Sequence, residues 1–480
     1  MNQATPSTRT WGFFFDGKWQ TEGASVELRA PSDRRLLARI VQARREHVEG
    51  AIQAASDAFE VTRKLGAYER QRALREVAAG LAQRREEFAR TLALEAGKPL
   101  KAARVEVDRA VFTFTIAAEE STRIYGDWLP LDLQASAAGR WAIVRRFPVG
   151  PLATITPFNF PLNLVAHKWA PAMATGCTLV HKPAPQTPLC SLLLAELVER
   201  AGWPAGGLNV LPVAVEDAEP LITDDRLKML SFTGSAAVGW ELKKKAGKKH
   251  VTLELGGNAG VIVHRDADLD QAAERSAVGG FAYAGQTCIS VQRILVQRGV
   301  FEKFLQTFLA RVKKLKLGDP LDESTDVGPM ISEAAAARAL RWVEEAAAEG
   351  AQILCGGKRT GAMMEPTVLT GTGPLQRVNC EEVFAPVVTV ESYHEFADAL
   401  RQVNDSPYGL QAGVFTRDAK LLFQAYEELR VGGVIAGDAP SFRIDHMPYG
   451  GVKDSGLGRE GLRYAMEEMT ERKILVMNVS

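Results

Sequence analysis

The chain has 480 residues, with 58 basic and 58 acidic side chains and no net charge. At roughly 150 residues per domain this suggests about three domains, and the charge balance argues against a partner such as nucleic acid or an anionic membrane surface. Apolar residues at 46% and charged residues at 24% exclude a disordered chain, and five scattered cysteines without a CxxC pair exclude a disulfide framework or a zinc ribbon.

No metal site is expected. No stretch approaches the ~20 uninterrupted apolar residues of a membrane span. Residues 1–17 hold only a short Phe13-Phe14-Phe15 cluster, without the basic and long apolar regions of a secretory signal. The expectation is a soluble, cytoplasmic, multi-domain protein.

In chain order, residues 46–59, 68–95 and 99–123 predict helices, rich in Ala, Leu, Glu and Arg with apolar positions three and four apart. Gly66 and the Gly97-Lys98-Pro99 break separate them. Residues 129–144 predict a two-stranded excursion. From Gly150 the texture changes. Short apolar runs at 151–156, 178–181, 208–211, 229–232 and 251–255 alternate with helix-like segments at 164–175, 188–200, 215–222 and 236–246. That alternation predicts a doubly wound parallel sheet, which places ligands outside the carboxyl ends of its strands.

A second α/β pattern follows Gly256-Gly257, with strand runs at 261–263, 293–297, 387–390 and 413–415. Helices are predicted at 269–283, 300–315, 333–349 and 396–404. The 129–144 segment and a C-terminal strand at 473–479 are candidates to join another subunit, or to pack locally as edge strands.

Several residues at strand ends have the types that chemistry needs. Cys288 lies in Gly285-Gln-Thr-Cys288, a break between helix and strand where a thiolate can be exposed and stabilised; an ordinary cysteine is instead a small buried hydrophobe. Glu254 ends an apolar run just before Gly256-Gly257, as a general base or as a salt-bridged strand-end carboxylate. In Thr156-Pro-Phe-Asn-Phe-Pro161, Asn159 can donate to a developing oxyanion or cap the helix that follows. Asn163 and His167 follow it at helical spacing. Ser231-Phe-Thr-Gly-Ser235 with Gly239 marks a strand end and helix start whose amides can hold a pyrophosphate. Lys182 closes the 178–181 run, within reach of a ribose or of solvent.

Taken in order, Phe158-Asn159-Phe160-Pro161, Lys182-Pro183, Ser231-Phe-Thr-Gly-Ser235, Leu253-Glu-Leu-Gly-Gly257, Gly285-Gln-Thr-Cys288, Glu381-Glu-Val-Phe-Ala-Pro386 and Pro448-Tyr-Gly-Gly-Val-Lys-Asp-Ser-Gly456 resemble the aldehyde dehydrogenase superfamily. The similarity runs from about residue 10 to residue 475. It implies Cys288 as nucleophile, Asn159 with the Cys288 amide as oxyanion hole, and Glu254 as the base that activates water. It implies NAD or NADP as cofactor, held by Lys182 and Glu382 at ribose hydroxyls and by Gly234, Ser235 and the helix start through Gly239 at the pyrophosphate. Ile155, Thr156, Phe158, Leu255 and Phe384 would line its cleft. It also implies a Rossmann-like cofactor domain (1–125 and 145–256), a second α/β catalytic domain (257–450) and a small β oligomerisation segment (126–144 and 466–480), assembling as a homodimer or homotetramer.

Where many NAD-preferring members carry Glu, this chain has Pro185, so no carboxylate there repels a 2′-phosphate. Arg109, His167 and Arg443, joined by Asn163, stand where relatives with apolar substrates place Met, Trp and Phe. That suits a small polar or anionic aldehyde and resembles the lactaldehyde and phosphonoacetaldehyde dehydrogenase branch. The competing reading pairs these groups with structural carboxylates such as Asp108 or Asp445, and Arg293 is expected to be structural. The alternatives for the whole chain are a coenzyme A-acylating semialdehyde dehydrogenase and a non-catalytic relative. Retention of Glu254, Cys288 and Asn159 speaks against both.

Overall fold

The structure, a computed structural model, describes residues 9–479; the first eight residues of the expected cofactor domain and Ser480 lie outside the described residues. Two large sheets dominate. Across the eight-stranded sheet the order is Gly456–Leu457, His250–Glu254, Met229–Thr233, Leu152–Ile155, Leu179–Lys182, Leu208–Val210, Phe13–Phe15 and Lys18–Gln20. The five central strands are parallel and the outer pairings antiparallel.

Successive residues of these strands feed two different cores. Leu152, Leu179 and Met229 pack with helices Ala67–Gln83, Leu100–Glu120, Asn163–Thr175 and Leu189–Arg200. Ala153, Val180 and Leu230 pack with helix Arg45–Thr62. Burial on both faces is why the strands read as unbroken apolar runs. The strand order reverses between Leu152–Ile155 and Met229–Thr233, which opens a crevice at their carboxyl ends.

The seven-stranded sheet runs Gln352–Cys355, Thr367–Thr370, Val387–Tyr393, Arg293–Gln297, Gly260–Val263, Gln411–Phe415 and Gly433–Ala436. Helices Leu269–Phe281, Phe301–Val312 and Glu333–Ala348 share one core with it, and Phe396–Asn404 and Ala419–Glu428 share another. One of two small three-stranded sheets pairs Thr470–Asn478 along Arg140–Pro148, which in turn pairs with Asp127–Pro130. The two candidate outward segments therefore meet each other within this chain. Trp128 stacks on Trp141 at 4.0 Å, and Ile474, Leu475 and Val476 remain exposed. Among the described residues no helix is long and apolar enough to cross a membrane.

Several elements differ from expectation. The helix expected over 68–95 is two, Ala67–Gln83 and Arg85–Ala96, broken at Arg84, whose guanidinium bridges Glu87 and Glu196. The helix expected over 215–222 shrinks to Pro220–Thr223, because Pro220 takes the first helical position. Phe13–Phe15 is a strand, turning through Asp16 and Gly17, both with positive φ, into Lys18–Gln20. The helix expected to reach residue 283 stops at Phe281.

Candidate active site

The carboxyl ends of the parallel strands deliver the singled-out residues. Register sets Ile155 beside Lys182 and Thr233 beside Glu254. A cavity of about 510 Å³ opens there, lined from the first sheet's side by Phe158, Asn159, Gly234, Ser235, Glu254 and Leu255, and from the second by Cys288, Glu382 and Phe384. Arg109, Asn163, Arg443 and Tyr449 also line it. Ile155, Thr156, Lys182 and Gly239 flank it without lining it, as does His167, and Pro185 is exposed at the surface.

Cys288 is mounted on a forced turn. Tyr283, Ala284 and Gly285 have φ of 51°, 52° and 67° in succession, a left-handed path costing about 1–2 kcal/mol for each non-glycine residue. Tertiary bonds hold it. Tyr283 Oη donates to Ala96 O at 2.9 Å, and Gln286 Oε1 accepts from Ile331 N at 2.9 Å. A Cβ at Gly285 would lie 2.1 Å from Ala385 O, so only glycine fits. The Cys288 Sγ lies 3.1 Å from Tyr449 Oη. Burial pushes the thiol up to about 11, opposed by the phenol hydrogen bond and the Arg443 charge. Of the other cysteines, Cys177 and Cys190 are buried, Cys355 and Cys380 half-buried, and none lines the cavity.

Asn159 does not cap the helix that follows. The amides of Leu162 and Asn163 are taken by Glu106 Oε1 at 3.0 and 3.1 Å, which leaves the Asn159 side chain free for the cavity. Its Nδ2 donates one bond, to Gln286 O at 3.1 Å, and its buried Oδ1 has no partner among the described residues. Its main-chain oxygen accepts from the buried Lys98 Nζ at 2.8 Å, and Lys98 also pairs with Glu106 and lies 3.7 Å from the Phe160 ring centre. The Gly97-Lys98-Pro99 segment, which signals only a helix break in sequence, thus anchors the Asn159 loop.

Glu254 is buried, and neither carboxyl oxygen has a hydrogen-bond partner among the described residues. It is not a salt-bridged strand end. Burial, then the neighbouring Glu460, pushes its carboxyl well above the ordinary range. Glu460 is the paired carboxylate: Lys168 Nζ lies 3.4 Å from Oε1 and Arg443 Nη2 3.0 Å from Oε2, and these cations hold it low against burial.

On the opposite side of the strand ends, Glu382 Oε1 accepts from Gly257 N at 3.1 Å, and burial raises its carboxyl to about 7. A Cβ at Gly256 would fall 2.3 Å from Glu382 Oε2. Phe384 meets Phe158 edge-on at 5.9 Å. Lys182 is buried as a residue and its ammonium makes no hydrogen bond or ion pair among the described residues, and Thr233 Oγ1 is buried and unpaired among them. Gly239 sits where a Cβ would come within 2.4 Å of Leu255 Cδ2, so the helix Ala236–Lys245 packs tightly under the Gly234-Ser235 turn.

The remaining wall is a polar web around Asp445. Arg109 donates to it through Nε and Nη2 at 3.1 and 2.6 Å, Asn163 Nδ2 at 3.1 Å, and His167 Nε2 lies at 2.8 Å. Burial opposes ionisation, yet the bonds from His167 and Arg109 hold the Asp445 carboxyl far below its usual range. Asp108 pairs with Arg85 instead. Arg443 stacks on the Tyr449 ring at 3.7 Å and keeps a buried Nε without a partner among the described residues. Arg293 donates to Asn258 O and Gln402 O, away from the cavity. Sequence reading missed Lys98, Lys168, Tyr449 and Glu460 as parts of the site.

Comparison with known proteins gives a consistent picture. The profile of the aldehyde dehydrogenase family matches residues 19–475. A 3-sulfolactaldehyde dehydrogenase of Priestia aryabhattai is 45% identical over 98% of this chain and 98% of its own length. A lactaldehyde dehydrogenase of Methanocaldococcus jannaschii is 41% identical over 97% of this chain and 100% of its own. Among solved structures, aldehyde dehydrogenase 21 from Physcomitrella patens in complex with the reaction product succinate superposes with a TM-score of 0.97, at 45% identity over 98% of this chain and 99% of that one. Glyceraldehyde-3-phosphate dehydrogenase GapN from M. jannaschii complexed with NADP superposes at 0.92, with 40% identity over 96% and 100%.

Proposed function

The chain belongs to the aldehyde dehydrogenase family, and on that premise we propose that it oxidises a small polar or anionic aldehyde to its carboxylic acid with NAD or NADP. The observation that carries this reading is the meeting of Cys288, Asn159 and Glu254 on one cavity.

The Cys288 thiolate attacks the aldehyde carbon to give a thiohemiacetal. Asn159 Nδ2 has a second N–H beyond the one given to Gln286 O, and with the Cys288 amide it holds the developing oxyanion. When bound, the dinucleotide supplies the acceptor for the hydride that leaves this carbon. The acyl group is then a thioester on Cys288. Glu254, ionised, takes a proton from water as the water's oxygen attacks the thioester; the acid leaves and the sulfur is restored.

The residues fit that cofactor. Lys182, buried, and Glu382, half-buried, have hydrogen-bonding capacity to spare for ribose hydroxyls. Gly234, Ser235 and the start of helix Ala236–Lys245, with Gly239 permitting its close packing, suit a pyrophosphate. Ile155, Thr156, Phe158, Leu255 and Phe384 supply apolar and backbone walls. At Pro185 no carboxylate disfavours a 2′-phosphate. In domain terms, 1–125 and 145–256 bind the cofactor, 257–450 carries the nucleophile, and 126–144 with 466–480 makes the homodimer or homotetramer contact, for which exposed Ile474, Leu475 and Val476 are suited.

For the substrate, Arg443 offers its unpaired buried Nε and Arg109 its uncommitted Nη1 to an anionic tail, with Asn163 beside them and His167 behind. The names of the relatives, sulfolactaldehyde and lactaldehyde dehydrogenases and an enzyme holding succinate, support a substrate of that size and charge.

The test is initial rates on lactaldehyde, phosphonoacetaldehyde, succinate semialdehyde and propanal with each dinucleotide and no coenzyme A, for the intact enzyme and Cys288→Ala. Free acid should form, faster from the charged aldehydes, and Cys288→Ala should lose on the order of 10⁴-fold or more without unfolding. A strict coenzyme A requirement, retained turnover in the variant, or no nicotinamide reduction at all would each defeat the reading.

A further inference from the structure

Among the described residues, Tyr449 is the one side chain whose polar atom is within hydrogen-bonding distance of the Cys288 sulfur, at 3.1 Å. Three contacts fix it there. Its ring packs with Ile289 and Leu410, its main chain pairs with Glu460 in both directions, and the guanidinium of Arg443 covers its face at 3.7 Å. Glu460 in turn holds Arg443 at 3.0 Å. The phenol oxygen is therefore clamped by backbone, apolar packing and a cation that is itself clamped.

We propose that Tyr449 is a further catalytic residue, the side-chain donor that holds the Cys288 sulfur as a thiolate in its attacking position. While the sulfur is a thiol, either atom can donate. Once it is a thiolate, only the phenol has a proton to give, and a bond to an ionised acceptor is roughly twice as strong as a neutral one. The bond therefore favours the ionised state in a site where burial opposes it. A cation over the ring face draws electron density from the phenol and makes it a better donor. The phenol keeps its proton throughout; the thiol proton leaves through the water-accessible cavity. The charged groups that reach the sulfur are Arg443, Glu382 and Glu254, and the replacements below change none of them.

The inference rests on Cys288 as nucleophile, so the test reads the thiol directly, without aldehyde or dinucleotide. The rate of iodoacetamide alkylation of the Cys288 peptide, followed by mass spectrometry across pH, is compared between the intact enzyme and Tyr449→Phe. The profile should move up by about one pH unit, making alkylation near neutral pH about tenfold slower, with dinucleotide affinity unchanged. Tyr449→3-fluorotyrosine, a stronger donor of nearly the same shape, should move it down, and this arm decides alone if the Phe protein does not fold. A profile that stays put in the folded variants overturns the proposal and leaves Cys288 as nucleophile. Aldehyde turnover that survives Cys288→Ala instead overturns the reading beneath it.

Discussion

The two sides of the cavity treat their polar groups in opposite ways. On one side, Glu254, Asn159 Oδ1 and Thr233 Oγ1 are buried without hydrogen-bond partners among the described residues. On the wall beside them, Asp445 alone gathers Arg109, Asn163 and His167, and Glu460 gathers Arg443 and Lys168. An unsatisfied buried polar group costs on the order of 1–3 kcal/mol, a cost the rest of the fold must offset. Such groups are what a ligand or water satisfies. The paired groups hold shape and charge, and what they have left over, such as Arg443 Nε, is directional.

That contrast can be broken first at Glu254. Glu254→Gln should retain a burst of reduced dinucleotide while steady-state release of acid falls by about 10²–10⁴-fold, the usual worth of a general base. A steady state equal to the burst rate removes Glu254 from that role. The same residue gives a pH signature. Because its carboxyl is raised in the folded protein, chiefly by burial, the neutral form contributes stability that is present in acid and lost as pH climbs past the ordinary carboxyl range. The melting temperature of Glu254→Gln should therefore gain on that of the intact enzyme as the buffer is made alkaline, and acid release by the intact enzyme should accelerate over the same direction of pH. Melting curves whose separation does not change with pH would contradict the buried, unpaired carboxyl.

The paired wall is probed next at Asp445. Asp445→Asn leaves the guanidinium of Arg109 without its counter-charge and should cost about 3 kcal/mol of stability, read as a lower denaturant midpoint, with KM raised for every aldehyde. An unchanged midpoint would mean the web is ornamental. The smallest and most selective effect is expected from Arg443→Leu: KM should rise by about 10–100-fold for succinate semialdehyde and only a few-fold for propanal. Equal rises for both would return Arg443 to a purely structural part.

Much of the scaffold was legible because strands buried on both faces spell themselves as apolar runs, and the residues just beyond their carboxyl ends fall where a doubly wound sheet puts its ligand site. Glu254 and Asn159 stood out for that reason, and Cys288 for its Gly-containing break between helix and strand, though the two readings of Asn159 were separable only once Glu106 was seen to take the helix amides. What could not be read was pairing across distance. Lys98 reaches Asn159 across 61 positions, Cys288 meets Tyr449 across 161 and Lys168 meets Glu460 across 292. No local composition marks these contacts. The break at Arg84 escaped for the same reason, since the segment's one glycine, Gly80, lies inside helix Ala67–Gln83 rather than at the break, and the ion pair Arg84 makes there is with Glu196 on another helix.

The left-handed run at Tyr283, Ala284 and Gly285 has an implication for how the enzyme comes into being. A segment wound against its intrinsic preference has no reason to adopt that path by itself. It does so only when Ala96 from the first half of the chain and Ile331 and Ala385 from the second are already there to meet it. The turn that carries Cys288 thus depends on contacts from both halves of the chain, and neither half alone supplies them all.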